Sequence, residues 1–293
     1  MKKLLTLLSL LAAIGLAGCS AAPGAASAPT PAGTVVSPSG PSALSVAVAS
    51  NDFGVGTPRV PFVLFQGSQP ITNAQSITVA AFDLAGGTPT PGWTGAAVNY
   101  NDYEIPYWVV FPKLPHAGYW GLGAVVTLAD GSKSQSQFTI QALDPPSAPQ
   151  IGDVPPASQN RTLATEPDLS KLSSDTAPEP GLYKLTVADA LKSGKPTVVT
   201  FATPAYCTSR LCAPVVNSIK TVYHDYQGKV NFIHIEVYKT FNPLVYADEM
   251  DQWHLQSEPW TFVLASDGKV AARLGGPVSP RELEQALQPL VKQ

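Results

Sequence analysis

Charge is what this chain of 293 residues has least of: 13% of its residues are Asp, Glu, Lys or Arg, about half the ~25% usual in soluble domains. A formal net charge of −3 supplies no basic field, which argues against nucleic acid as a partner. Three cysteines are too few for a disulfide-dense scaffold, and two methionines too few for a Met-rich groove. No glycine-rich phosphate loop and no Ser/His/Asp order stands out. Beyond the first twenty residues, no apolar run is long enough to span a bilayer. What remains plentiful is proline, at 29 residues, and hydrophobic side chains, at 44%. Such a chain can bury a core in one or two domains.

The missing charge has a location. No charged residue occurs between Lys3 and Asp52, and residues 20–143 carry only eight, whereas residues 144–293 carry 29. Proline is also uneven: 13 of the 29 fall in Ser20–Ser42 and Asp144–Pro180. The first of these stretches has no charge and no hydrophobic periodicity, so it cannot bury enough apolar surface to offset its ordering entropy. It is expected to be a flexible stalk, and the second a proline-rich linker.

At the start, Lys2 and Lys3 precede an uncharged stretch from Leu4 to Gly18, the pattern of an export signal too short to span a bilayer comfortably. It ends Leu16-Ala17-Gly18-Cys19, which resembles the lipobox of bacterial lipoproteins. That resemblance implies a signal peptide over 1–18, lipid on Cys19 and a stalk over 19–43. The implied location is the bacterial cell envelope, lipid-anchored on the extracytoplasmic side, where disulfides persist.

Residues 44–143 read as all-β. Runs at 44–49, 61–66, 76–82, 96–102, 107–111, 119–128 and 136–143 are β-branched or aromatic, with turn signals such as Gly86-Gly87, Pro89 to Gly92 and Asp130-Gly131 between them. About seven short strands in about 100 residues fit an immunoglobulin-like β-sandwich. This half holds no catalytic set, so a spacer or binding role is expected. After the linker at 144–180, residues 181–293 alternate helices and strands. Thr186–Ser193 reads as a capped helix stopped by Gly194, and Val215, Val216, Ile219, Val222, Tyr223 and Tyr226 fall at helical spacing. Ser279-Pro280-Arg281-Glu282 reads as a capping box that opens the terminal helix. The fold class expected is multidomain: an immunoglobulin-like sandwich followed by an α/β domain.

Two segments of the last part carry a further resemblance. KPTVVTFATPAYCTSRLCAPVV resembles the strand, loop and first helix of a thioredoxin-like domain, and SEPWTFVLASDGKVAARLGG resembles that family's later segment. The resemblance implies a thioredoxin-like fold over 181–293. It also implies that Pro259 faces the cysteines, usually in the cis form, with the backbone of Glu258 beside them. Thr200 stands where the family often has a buried acid.

The spacing departs from the family's C-x-x-C, since Cys207 and Cys212 form a C-x₄-C. Five residues of regular helix rise about 7.5 Å, whereas bonded cysteines need Cα atoms within ~6.8 Å. Cys207 is therefore expected in the loop, with Pro214 placing the helix start near Cys212. Arg210 adds positive charge, and the Glu258 carboxylate is expected to raise thiol pKa values or accept a proton. Three readings of the pair are open. It exchanges disulfides with the thiols or disulfides of exported proteins; it is a structural bond in a non-catalytic binding module; or it binds copper, as in Sco-type chaperones, with His234 or His254 as a third ligand. The first is favoured, with Cys207, Cys212, Pro259, Glu258 and Arg210 as the site, no cofactor, and the membrane as a partner through Cys19.

Overall fold

The computed structural model describes residues 44–291. The signal, the lipobox with Cys19 and the stalk lie outside the described residues. No described helix is long and apolar enough to cross a membrane.

The first half is built from ten strands: β1 (Leu44–Val48), β2 (Phe53–Gly54), β3 (Val60–Gln66), β4 (Gln69–Pro70), β5 (Ala74–Asp83), β6 (Thr90–Ala96), β7 (Val98–Tyr100), β8 (Tyr107–Val110), β9 (Gly118–Leu128) and β10 (Lys133–Leu143). One sheet runs β1-β3-β8-β7, with β4 paired to β3, and a second runs β2-β10-β9-β5-β6. Alternating side chains of both sheets meet in one apolar core, with Phe62, Leu64 and Trp108 from the first and Val79, Trp120, Leu122 and Ile140 from the second. Of residues 89–92, expected as turn, Thr90 to Gly92 instead begin β6. This strand lies at a sheet edge, where Pro91 and two glycines are tolerated because one side of the backbone needs no partner.

The second half contains α1 (Leu169–Leu172), a 3-10 turn at Pro180–Tyr183, α2 (Val187–Lys192), β11 (Thr197–Ala202), α3 (Cys212–Asp225), β12 (Asn231–Glu236), β13 (Tyr238–Phe241), β14 (Leu244–Tyr246), α4 (Asp248–Gln252), β15 (Trp260–Leu264), β16 (Val270–Gly275) and α5 (Pro280–Val291). Four strands form a mixed sheet in the order β12-β11-β15-β16. Strand β11 pairs parallel to β12 and antiparallel to β15. All six residues of β11 are buried, which is why TVVTFA reads as a continuous apolar run rather than an alternation. The hairpin β13–β14 follows β12, and the sequence pattern did not announce it.

Residues 144–180, expected as a linker, are packed. Ala148 belongs to the apolar cluster around Phe201 and Trp253. The Ser158 hydroxyl accepts from the Trp253 indole N–H at 3.0 Å, and the Ser147 and Ala148 N–H groups donate to Asp52 at 2.9 and 2.8 Å. Proline here fixes an extended path along a surface, and the segment satisfies its polar groups on both halves.

The two halves also share a core. Val63, Tyr100, Tyr103, Tyr107 and Val109 pack in one cluster with Val215, Ile219, Leu283 and Leu287. At this junction the capping box is completed across the interface. Ser279 Oγ accepts from the Glu282 N–H at 3.1 Å, but the Ser279 N–H donates to the Tyr107 hydroxyl at 2.8 Å. The Glu282 carboxylate, which would otherwise reach back to that N–H, accepts from Tyr107 and is paired with Arg59. Gly276, at φ 82°, lets the chains approach: a Cβ there would lie 1.9 Å from the Ala49 carbonyl oxygen.

Candidate functional site

The site forms where β11 ends. Thr203 to Tyr206 turn, with Tyr206 N–H donating to the Thr203 carbonyl at 3.3 Å, and Cys207 follows in the loop. A second turn runs from Cys207 to Arg210, which adopts φ 62°. Helix α3 then begins at Cys212, with Pro214 in its first turn. A five-residue separation within a helix would hold the sulfurs apart. With Cys207 outside the helix, the Sγ atoms and a Glu258 carboxylate oxygen all lie within 4.8 Å of one another. Both cysteines are free thiols; Cys212 is fully buried and Cys207 partly exposed.

Strand β15 supplies the facing wall. Trp260 pairs with Phe201, which sets the cis Glu258–Pro259 peptide opposite the end of β11. Pro259 is buried, and its carbonyl is held by the Gly276 N–H at 2.9 Å. Cys207, Cys212, Glu258 and Pro259 are thus gathered at one sheet end. Arg210 is not drawn in: its side chain is exposed and makes no ion pair among the described residues. The positive φ of its backbone turns the loop, and the role expected for its charge is not seen.

The two thiols differ electrostatically. Hydrogen bonding from the Cys212 thiol, with further bonds from Ser209 and the N–H groups of Cys212 and Leu211, outweighs burial and brings the Cys207 pKa down to about 5. Cys212 is driven upward, by that same bond to Cys207 and by burial, despite an N–H bond from Thr203. Burial, and then the Cys207 charge, raises the pKa of Glu258. The pair is therefore a partly exposed thiolate over a buried protonated thiol, beside a carboxyl able to take a proton.

The three ligand-type atoms are close enough to share one soft cation, yet no histidine of the described residues joins them. His234 is buried on β12, its Nδ1 2.7 Å from the Tyr183 hydroxyl and its Nε2 3.1 Å from the Ala202 carbonyl, so both ring nitrogens are occupied. His254 lies exposed after α4. The trio is a thiol pair with a carboxyl neighbour. Thr200 is buried with its hydroxyl 3.3 Å from that of Thr261, so no acid stands at that position.

Sequence reasoning missed Ser209, whose hydroxyl lies 3.1 Å from the Cys207 sulfur, and a residue from the other half. Tyr103, in the loop between β7 and β8, is buried, and its hydroxyl donates to the Leu211 carbonyl at 3.1 Å. Its only sequence signal is the density of tyrosines in NYNDYEIPYW.

No protein-family model matches the chain, and no curated protein sequence matches it. Among solved structures it is similar to a thioredoxin-family thiol:disulfide interchange protein from Chlorobium tepidum TLS. That match has 16% identity and a TM-score of 0.34, over 49% of this chain and 99% of the other. A DsbF homologue from Corynebacterium diphtheriae is similar at 18% identity and a TM-score of 0.30, over 36% of this chain and 77% of the other. CopC from Methylosinus trichosporium OB3b is similar at 13% identity and a TM-score of 0.25, over 34% of this chain and 92% of its own. The first two neighbours are thioredoxin-like. At such identities the likeness assigns no activity.

Proposed function

We propose that the chain is a thioredoxin-like dithiol protein that exchanges disulfides with exported protein substrates. In this reading the first half is an immunoglobulin-like sandwich, and lipid on Cys19 holds the whole at the extracytoplasmic face of a bacterial membrane. The observation that carries the reading is the asymmetry of the pair: Cys207 is partly exposed with its pKa brought down to about 5, and Cys212 is buried and held protonated. Thiolates, not thiols, attack disulfides.

The Cys207 thiolate attacks one sulfur of a substrate disulfide, forming a mixed disulfide and releasing one substrate thiolate. Cys212 then gives its proton to the Glu258 carboxylate and attacks the Cys207 sulfur. The second substrate thiolate leaves, and a Cys207–Cys212 disulfide remains. Two electrons have passed to the substrate; the reverse sequence oxidises a dithiol. Beside the cysteine loop, the exposed Tyr206 stacks on Phe241, and Leu244, Val245 and Tyr246 of the β13–β14 hairpin are exposed too. This apolar surface suits an extended polypeptide better than a small polar substrate.

The test is thiol trapping on the full chain equilibrated in glutathione buffers. The expected result is a pair that cycles at potentials near those of known oxidoreductases, with Cys212→Ser accumulating a mixed disulfide at Cys207 and Cys207→Ser losing all exchange. A pair that stays oxidised below about −300 mV and never forms a mixed disulfide would overturn the reading and indicate a structural bond.

A further inference from the structure

We propose that Tyr103, contributed by the all-β half, is a positioning residue of the thiol site, holding the Leu211–Cys212 peptide so that its N–H faces the Cys207 sulfur.

The geometry begins with that peptide bond. Its carbonyl is the Leu211 C=O, which accepts from the Val215 N–H at 3.1 Å in the first turn of α3 and from the Tyr103 hydroxyl at 3.1 Å. A trans peptide is planar, with C=O and N–H directed oppositely. Gripping the carbonyl therefore fixes the direction of the Cys212 N–H at the start of α3, beside the loop that carries Cys207, whose sulfur lies within 4.8 Å of that of Cys212. The grip also polarises the peptide, since a donor on the carbonyl strengthens the N–H on the other side.

Tyr103 is itself well held. It is 5% exposed and packs edge-on against Tyr107, with ring centroids 5.3 Å apart. Tyr107 in turn stacks on Tyr100 and is bonded to Glu282 and Ser279 of the other half. Burial pushes the Tyr103 phenol far above its ordinary value, and the Cys207 charge pushes the same way, so it remains a donor. The groups around the Cys207 sulfur are the Cys212 thiol on α3, the Ser209 hydroxyl of the cysteine loop at 3.1 Å and Glu258 ahead of β15; the β7–β8 loop brings Tyr103, next to Glu104 in sequence, onto the Leu211 carbonyl. Arg210, in the cysteine loop itself, is exposed. The all-β half is thus part of the site as well as its neighbour.

The inference concerns how the Cys207 proton is held, so it stands apart from disulfide exchange and is read without any protein substrate. In the reduced full chain, the rate of iodoacetamide alkylation at Cys207 is followed against pH by mass spectrometry. Tyr103→Phe keeps the ring and removes only the hydroxyl. Its midpoint should rise by about half to one pH unit, the worth of one hydrogen bond, so that alkylation near pH 5 slows roughly two- to sixfold. Tyr107→Phe is the control: it loosens the same junction yet should leave the midpoint in place. A Tyr103→Phe profile superimposable on the wild type overturns the proposal, as does an equal shift in Tyr107→Phe. A second readout needs no variant: in the wild-type chain, the Cys212 amide nitrogen resonance should titrate with the Cys207 midpoint. An amide that ignores that titration also overturns it.

Discussion

The two halves of the described chain spend their charge in opposite ways. The α/β half scatters charged residues over its surface, on exposed pairs such as Lys239–Asp248 and Lys269–Asp267. The all-β half has eight charged residues in 20–143 and commits three of them to the other half. Arg59 pairs with Glu282, Asp52 with Arg273 and Asp102 with Arg281. A fourth, Glu104, follows Tyr103 in the loop between β7 and β8. Scarcity of charge in one region therefore marks where the remaining charge is structural. The sequence of the all-β half points to a spacer or binding role; the placement of its remaining charge makes it a brace as well.

The strongest test of that contrast is at Arg59. Its side chain and that of Glu282 are each 6% exposed, joined at 2.7 Å, and the guanidinium also donates to the Gly275 and Pro277 carbonyls. Burial alone would pull the Arg59 pKa down, but Glu282 more than offsets it and leaves it raised. Removing one partner strands the other in a dry site. Arg59→Ala should cost about 3–5 kcal/mol in urea unfolding of the reduced chain, whereas Arg59→Met with Glu282→Leu should cost much less. A loss below 1 kcal/mol for the single variant would show that the junction tolerates an unpaired carboxylate and that the brace is elsewhere.

Much of the site was legible because its signals are local. Pro214 marks the start of α3, the five-residue separation forces Cys207 into the loop, and Glu258-Pro259 announces the facing segment. The junction was not, because its partners are far apart in the chain: Tyr103 and Leu211 are separated by 108 residues, and Arg59 and Glu282 by 223. Residues 144–180 misled for a related reason. Their composition is that of a linker, and only tertiary contacts such as Ser158–Trp253 reveal them as packed. The capping box shows both sides at once, since its Ser279 half is local, but Tyr107 displaces the reciprocal half.

The other two cross-half pairs sharpen the comparison by burial. Asp52 is buried and accepts from Arg273 and from two backbone N–H groups, so Asp52→Ala leaves three donors unpaired. Asp102 and Arg281 are far more exposed, at 31% and 44% for their side chains. Asp52→Ala should therefore cost about 1–3 kcal/mol and Asp102→Ala under about 1 kcal/mol in the same assay. The reverse order would mean that position in the junction, rather than desolvation, decides what a charge is worth.

The pH response separates the halves by sign. Cys207 has its pKa brought down to about 5 in the folded, reduced chain, from an ordinary value of 9.0. A depressed acid binds fewer protons when folded than unfolded, so its contribution to stability is present above pH 9 and lost as pH falls toward 5. Cys212 shifts upward, and its opposing effect begins only above its own ordinary value of 9.0. In the all-β half, His116 is raised by its bond to the Ala117 carbonyl and by Asp83. A raised base contributes below its ordinary value of 6.5 and loses that contribution as pH climbs through the folded value. Between pH 6.5 and 8.5, Cys207→Ser should thus remove a stability that rises with pH, while His116→Gln removes a weaker one that falls. His116 is exposed and screened, so its slope should be the shallower of the two. Equal and parallel slopes in the two variants, read by urea unfolding under reducing conditions, would sink the assignment of the pH response to the thiol pair.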